Sequence, residues 1–324
     1  MPDTTTPGSD SRMSLSVRDL LSIQDLTPED IQLIFEVARR IKTAPDKYAN
    51  RLKGKTLAMI FEKPSLRTRV TFDIGMTSMG GHALFLDHSD AKLGERESIR
   101  DVARNLERWV HGIVARTYQN RSVVELAEHA RIPVINGLTD LFHPCQALAD
   151  FFTISEKLTV GSGIKLCFVG DGNNTCHSLI LGASRLGVDV SVATPSGYEP
   201  NPEIIHQAQL TAATTGANIT ITRNPQEAVL GSDVVYTDVW ASMGQEAETE
   251  DRATIFAEYQ VNNQLMNLAN RGALFMHCLP AHRGSEVAPQ VIDSPQSVVF
   301  DQAENRLHVQ KAVLLLLLMA KKAD

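Results

Sequence analysis

Short apolar runs bounded by turn residues, most followed by longer amphipathic stretches, restrict the fold of this chain more than any other feature. The first is TLAMIF, Thr56–Phe61. A run without polar alternation reads as a strand buried on both faces, the situation of a parallel sheet covered by helices. Residues 66–79 then read as a helix stopped by Gly80-Gly81, 83–86 as a strand, 99–110 as a helix and 112–115 as a strand. Residues 134–136 end another strand, and 143–158 read as a helix. After a small-residue break at 159–163 (TVGSG) the pattern restarts: strand 165–169, helix 174–186, strand 188–193, then strands at 219–222, 234–237 and 273–276. This alternation predicts an α/β protein whose domains are mostly parallel sheets flanked by helices. A length of 324 residues fits about two domains at ~150 residues each. The expected division is 15–152 together with 303–324 as one domain and 153–302 as the other, with a final helix (303–322) returning to the first.

Composition narrows the function. Hydrophobic residues make up 43% and charged residues 21%, enough apolar material for two cores without metal or disulfide staples. The net charge of -7 lacks the broad positive field of a nucleic-acid binder, so any anion site must be a local cluster of arginines. Cys145, Cys167, Cys176 and Cys278 form no C-x-x-C pair and read as reduced thiols of a cytoplasmic protein. Residues 1–14 are polar, contain Asp3 and Asp10, and resemble neither a secretory signal nor a transit peptide. They read as a disordered tail, with Met13 an alternative start. The run AVLLLLLMA at 312–320 is about half the roughly 20 residues that span a bilayer, so it reads as a buried helix and no membrane is expected.

Chemistry first appears after TLAMIF, in Glu62-Lys63-Pro64-Ser65-Leu66-Arg67-Thr68-Arg69. Pro64 and Ser65 suit a helix start, with Ser65 as N-cap. A helix N-terminus offers free N–H groups and a positive dipole end to an anion. Arg67 adds a bidentate fork suited to phosphate, and the Ser65 and Thr68 hydroxyls add neutral hydrogen bonds. In this fold class ligands bind beyond the carboxyl ends of the strands, where this segment falls.

FEKPSLRTR resembles the S-T-R-T-R phosphate motif of the aspartate/ornithine carbamoyltransferase family. His143-Pro144-Cys145-Gln146 looks like the family's H-P-x-Q motif. Asp238-Val239-Trp240-Ala241-Ser242-Met243-Gly244 and His277-Cys278-Leu279-Pro280 look like the amino-acid-binding motifs of its ornithine branch. The resemblance runs from about Val17 to Leu318. It implies transfer of the carbamoyl group of carbamoyl phosphate to the side-chain amine of L-ornithine, giving L-citrulline and phosphate, a step of arginine biosynthesis. It also implies a homotrimer, or a multiple of trimers, sharing sites between subunits.

The roles it implies are specific. Ser65, Leu66, Arg67 and Thr68 would hold the phosphate, and Arg116 would bridge phosphate and carbamoyl oxygen. His143 would donate to that oxygen, and Gln146 would hold the carbamoyl nitrogen. The Leu279 carbonyl, Cys278 and Arg306 would complete the pocket. Asn174, Asp238, Ser242 and Met243 would bind ornithine, with Cys278 and Asp238 beside the attacking amine. Two positions depart from the family pattern. Leu66 stands where Thr is commoner. Lys92, in Asp90-Ala91-Lys92-Leu93-Gly94, stands where many relatives carry Gln, in a loop that reaches a neighbouring subunit's site; a solvated surface lysine is its equal alternative.

The chemistry is consistent with these assignments. Attack on the carbamoyl carbon pushes charge onto its oxygen, which fixed donors stabilise. Arginines neutralise a leaving phosphate without a metal, and no acidic cluster suggests Mg²⁺, so neither metal nor cofactor is expected. Gly170-Asp171-Gly172-Asn173-Asn174 sits like a dinucleotide loop, but Thr175 replaces the third glycine, which argues against NAD. Trp240 reads as packing, and His277 and His282 stay open between structural and functional roles. Putrescine or N-acetylornithine remain alternative acceptors; aspartate is disfavoured because its branch has P-L-P-R in place of His277-Cys278-Leu279-Pro280. A binding protein without catalysis remains the alternative from another class.

Overall fold

The computed structural model describes residues 14–89, 92–161, 163–241 and 248–320. The N-terminal tail expected to be disordered, apart from Ser14, lies outside them. The first part of the chain forms α1 (Pro28–Thr43), β1 (Thr56–Phe61), α2 (Arg67–Thr77), β2 (His82–Asp87), α3 (Ile99–Trp109), β3 (Gly112–Arg116), α4 (Asn120–His129), β4 (Val134–Leu138) and α5 (Pro144–Lys157). The second forms β5 (Lys165–Val169), α6 (Asn174–Leu186), β6 (Asp189–Ala193), α7 (Pro202–Thr215), β7 (Ile219–Thr222), α8 (Pro225–Val229), β8 (Val234–Thr237), α9 (Thr249–Ile255), α10 (Asn263–Met266), β9 (Leu274–His277), α11 (Pro289–Ile292) and α12 (Val299–Leu318).

The strands make two sheets, ordered β2-β1-β3-β4 and β7-β6-β5-β8-β9, and every pairing between strands is parallel. Helices flank both, so β3 and β8 are buried along their whole length, as the apolar runs that lead to Arg116 and Thr237 at their ends require. The α/β expectation therefore holds. The helices begin on recognisable caps. Thr27 and Asp30 form a reciprocal capping box on α1, and Asn173 accepts the N–H groups of Thr175 and Cys176 at the start of α6.

The apolar run near the C-terminus is buried from Ala312 to Leu318 in α12, which starts at Val299 rather than at 303, ends at Leu318 rather than at 322, and packs against α1, α2 and α5 of the first domain. Among the described residues no helix is long and apolar enough to cross a membrane. The periodicity did not single out α1, α4 or α7, whose apolar faces are narrow stripes among charged and polar residues.

Candidate active site

Both sheets reverse their strand order beside a central strand, and the reversal opens a crevice at the carboxyl ends. In the first sheet it falls between β1 and β3. Register pairs Phe61 with Arg116, so the turn leading into α2 and the Arg116 side chain leave adjacent strand ends. In the second sheet it falls between β5 and β8. Val169 pairs with Thr237 and Thr237 with His277, so the loop after β5, Asp238 and Cys278 emerge side by side.

Three arginines collect on the first-domain side. Arg306, on α12 and buried, donates from Nη2 to Thr68 Oγ1 at 3.0 Å and from Nη1 to Gln146 Oε1 at 2.5 Å. Arg67 donates to the Leu279 carbonyl, which connects α2 to the loop after β9. Leu279 holds a left-handed φ of 59°, a conformation that costs an L-residue energy and turns its carbonyl toward the arginine. Arg116 is buried, and burial with the Arg306 and Arg67 charges lowers its guanidinium to about 10. All three remain cationic at neutral pH and repel one another, which a bound dianion would relieve. His143, buried at the start of α5, is held well below its usual range by burial first and by Arg306, Arg116 and Arg67 next. It is therefore a neutral imidazole, and its Nδ1 has no hydrogen-bond partner among the described residues. Its backbone N–H is fixed by Ser178 Oγ at 2.8 Å, across from α6.

The second-domain side is neutral or acidic. Asp238 accepts the Cys278 thiol through Oδ1 at 2.9 Å and the Asn173 amide through Oδ2 at 3.0 Å. Burial, and after it the Asp238 charge, pushes the Cys278 thiol well above its usual value, so the sulfur stays protonated. Asn174 donates to the Thr139 carbonyl, tying the α6 start to the loop after β4. Gly172 has a steric reason: a Cβ there would lie 2.3 Å from Pro200 N and 2.6 Å from the Glu199 carbonyl carbon. Its smallness serves a backbone crossing within the protein rather than a dinucleotide.

The structure thus joins Thr68, Gln146 and Arg306 by hydrogen bonds, sets Arg67, the chain neighbour of Thr68, on Leu279, and places Arg116 and the neutral His143 in the field of these arginines. Ser65 is half-buried beside it. The capping expectation needs correction: Leu66, not Ser65, occupies the N-cap position of α2, and no side chain caps that end. The first-turn N–H groups of α2 therefore lack a side-chain cap. Leu66 is 73% exposed. Lys92 is exposed and sits 5.0 Å above the Tyr118 ring. Ser242 and Met243 lie outside the described residues. Trp240 packs on Phe256 as expected, with ring centroids 5.9 Å apart.

Several participants had no sequence signal of their own. Glu62 accepts the backbone N–H groups of Leu93 (2.8 Å) and Tyr118 (2.7 Å), anchoring the loop that carries Lys92. Arg252 reaches Asp171 Oδ2 (3.1 Å), the Trp240 carbonyl (2.7 Å) and Glu248 (2.8 Å), fastening the loop after β5 to the start of α9. Asn173 could have been found as the N-cap of a helix already expected at 174.

Asp238, His277 and Cys278 carry ligand-type atoms within 4.8 Å of one another. A metal does not fit them readily. His277 Nδ1 accepts the Leu279 N–H at 2.9 Å, which leaves the ring proton on Nε2, facing Glu286 at 3.3 Å. Both ring nitrogens are committed, and the thiol is spent on Asp238.

Residues 18–156 match the aspartate/ornithine carbamoyltransferase carbamoyl-P binding domain, and residues 162–317 match the Asp/Orn binding domain of the same family. The chain belongs to the aspartate/ornithine carbamoyltransferase family. It is 55% identical over 308 residues to the ornithine carbamoyltransferase of Pyrococcus horikoshii, covering 94% of this chain and 97% of that one. It is 54% identical over 308 residues to the anabolic ornithine carbamoyltransferase of Pyrococcus furiosus, with 94% and 98% covered. A solved ornithine carbamoyltransferase structure from Pyrococcus furiosus superposes with a TM-score of 0.92 at 53% identity, covering 95% of this chain and 99% of that one.

Proposed function

We propose that the protein transfers the carbamoyl group of carbamoyl phosphate to the side-chain amine of L-ornithine, releasing L-citrulline and phosphate. One observation carries the reading: Arg306 joins Thr68 of the phosphate motif to Gln146 of the H-P-x-Q motif, while Arg67 reaches the carbonyl of Leu279 in the amino-acid motif. Motifs from both domains thereby converge on one cationic pocket.

In this reading the α2 N-terminus, Ser65, the Leu66 backbone, Arg67, Thr68, Arg116 and Arg306 hold the phosphate. Arg116, Thr68 and neutral His143 donate to the carbamoyl oxygen, while Gln146 Oε1 and the Leu279 carbonyl accept its N–H groups. Asp238, Asn174, Ser242 and Met243 hold ornithine. The ornithine ammonium, of pKa roughly 10.4, must first lose a proton to solvent, which costs about 4–5 kcal/mol at pH 7. The amine lone pair then attacks the carbamoyl carbon, charge builds on the carbamoyl oxygen, and the bond to the phosphate oxygen breaks. The amine's surplus proton leaves with the phosphate. Cys278, as a protonated thiol, orients Asp238 beside the amine instead of taking a proton. Holding both substrates in one crevice supplies the proximity contribution.

The assembly we propose is a homotrimer or multiple of trimers in the cytoplasm, with Lys92 reaching a neighbouring site, and the reaction needs neither metal nor nucleotide. Purified protein given both substrates in the presence of a chelator is the test: citrulline is expected, and its absence sinks the reading. Rates with ornithine, putrescine, N-acetylornithine and aspartate compared side by side identify the acceptor, with ornithine expected to lead.

A further inference from the structure

Asp150 is a buried acidic group that the proposed chemistry leaves without a role. It lies on α5 one turn beyond Gln146 and has no exposed surface. Its Oδ1 accepts Gln146 Nε2 at 2.8 Å and Gln302 Nε2 at 2.7 Å, and its Oδ2 accepts the Tyr236 hydroxyl at 3.1 Å. Gln302 in turn accepts the backbone N–H of His277 through Oε1 at 3.1 Å. One carboxylate thus connects α5, β8 and α12, and through Gln302 it reaches the residue preceding Cys278.

The Gln146 amide stands between two groups of opposite character. A carboxylate offers only acceptors and a guanidinium only donors. Nε2 faces Asp150 and Oε1 faces Arg306. Turning the amide over would set its oxygen against the carboxylate and its NH₂ against the arginine, two repulsive contacts in a region where unmatched polar groups are costly.

We propose that Asp150 is a positioning residue: by binding the Gln146 amide nitrogen, it keeps Gln146 Oε1 facing Arg306 and the carbamoyl end of the pocket. This rests on the carbamoyl-transfer reading, in which that oxygen accepts a carbamoyl N–H. An inverted amide would present NH₂ to NH₂. Burial pushes the Asp150 carboxyl up to about 7. The arrangement survives protonation, because a proton on Oδ2 can point at the Tyr236 oxygen while Oδ1 still accepts both amides.

Three variants test it: Asp150→Leu, Gln146→Glu, and the exchange Gln146→Glu with Asp150→Asn. Asp150→Leu removes the acceptor, and the carbamoyl phosphate KM should rise on the order of tenfold, the scale of one charge-assisted hydrogen bond. Gln146→Glu sets two carboxylates face to face and should weaken carbamoyl phosphate use at least as much. The exchange restores a donor facing an acceptor with the polarity reversed, and should recover kcat/KM by roughly tenfold over Gln146→Glu, a coupling of the size contacting residues show. A merely structural Asp150 predicts no such recovery. An exchange variant no better than Gln146→Glu overturns the proposal, as does a folded Asp150→Leu with an unchanged carbamoyl phosphate KM. If Asp150→Leu does not fold, the exchange pair decides. Wild-type protein that makes no citrulline counts against the transfer reaction itself. The positioning claim is then judged by titration with phosphonoacetamide, the unreactive methylene analogue of carbamoyl phosphate, with the same recovery expected.

Discussion

Cys278 Sγ donates to Asp238 Oδ1 across 2.9 Å, joining the ends of β9 and β8. Because burial and the carboxylate hold the thiol well above its usual value, little thiolate forms at neutral pH. Alkylation of Cys278 by iodoacetamide at pH 7.5, followed by mass spectrometry, should run on the order of tenfold or more slower than that of a free cysteine, because only the thiolate reacts. Labelling faster than the free amino acid would show an activated thiol and contradict the orienting role.

Arg67 is half-buried, and its guanidinium donates to the Leu279 carbonyl. Its replacement by alanine should cost activity far more than stability. Loss of one fixed donor to a developing charge typically lowers kcat by roughly 10²–10³, whereas the melting temperature should shift by only a few degrees, on the order of 1 kcal/mol. Parallel kinetics and thermal melts check this, and equal losses would make Arg67 structural.

His143 sets a pH dependence of stability. Its folded value is depressed well below 6.5, so between that value and about 6.5 the unfolded chain binds a proton that the folded chain does not. The stability is therefore present above pH about 6.5 and is lost as pH falls, with a slope of up to about 1.4 kcal/mol per pH unit. His177, also lowered by burial, acts in the same direction, and Asp150, raised to about 7, acts in the opposite one. The measurement is thus a difference: melts of wild type and His143→Gln from pH 7.5 to 5.5, with the variant losing less. Identical profiles would mean that His143 titrates alike in the folded and unfolded chains, against the depression by burial.

Gly172→Ala should move the loop that carries Asn173 and Asn174, because its new Cβ meets backbone atoms of Glu199 and Pro200 that have no rotamer to yield. Such a shift near an oriented substrate costs on the order of tenfold or more. The ornithine KM should rise while that of carbamoyl phosphate moves little. A matching rise in both would place the loop's influence elsewhere.

The frame was readable in the sequence because a strand covered on both faces is a largely apolar run, as in β1, in β3 up to Ala115 and in β8 up to Tyr236. The motif residues were readable because a strand, a cap signal and a cation fell together at Ser65–Arg67. What stayed hidden was the set of partners that fixes them. Asp150 meets Gln302, 152 residues further along the chain, and no local pattern reports a pairing at that separation. Helical spacing does set Gln146 and Asp150 on one face, which is a signal that could have been used. Ser65 was misplaced by one position because helix ends are the least determined boundaries.

α12 has a consequence for how the protein is made. Its leucines cover the first domain, and its Arg306 bridges Thr68 and Gln146. Yet it is synthesised only after the entire second sheet. While the ribosome builds that sheet, the first domain waits with the faces of α1, α2 and α5 uncovered, and its anion pocket lacks one wall. The contacts that Arg306 makes with Thr68 and Gln146 therefore form only when α12 docks, so completing the pocket and covering the first domain are the same late step.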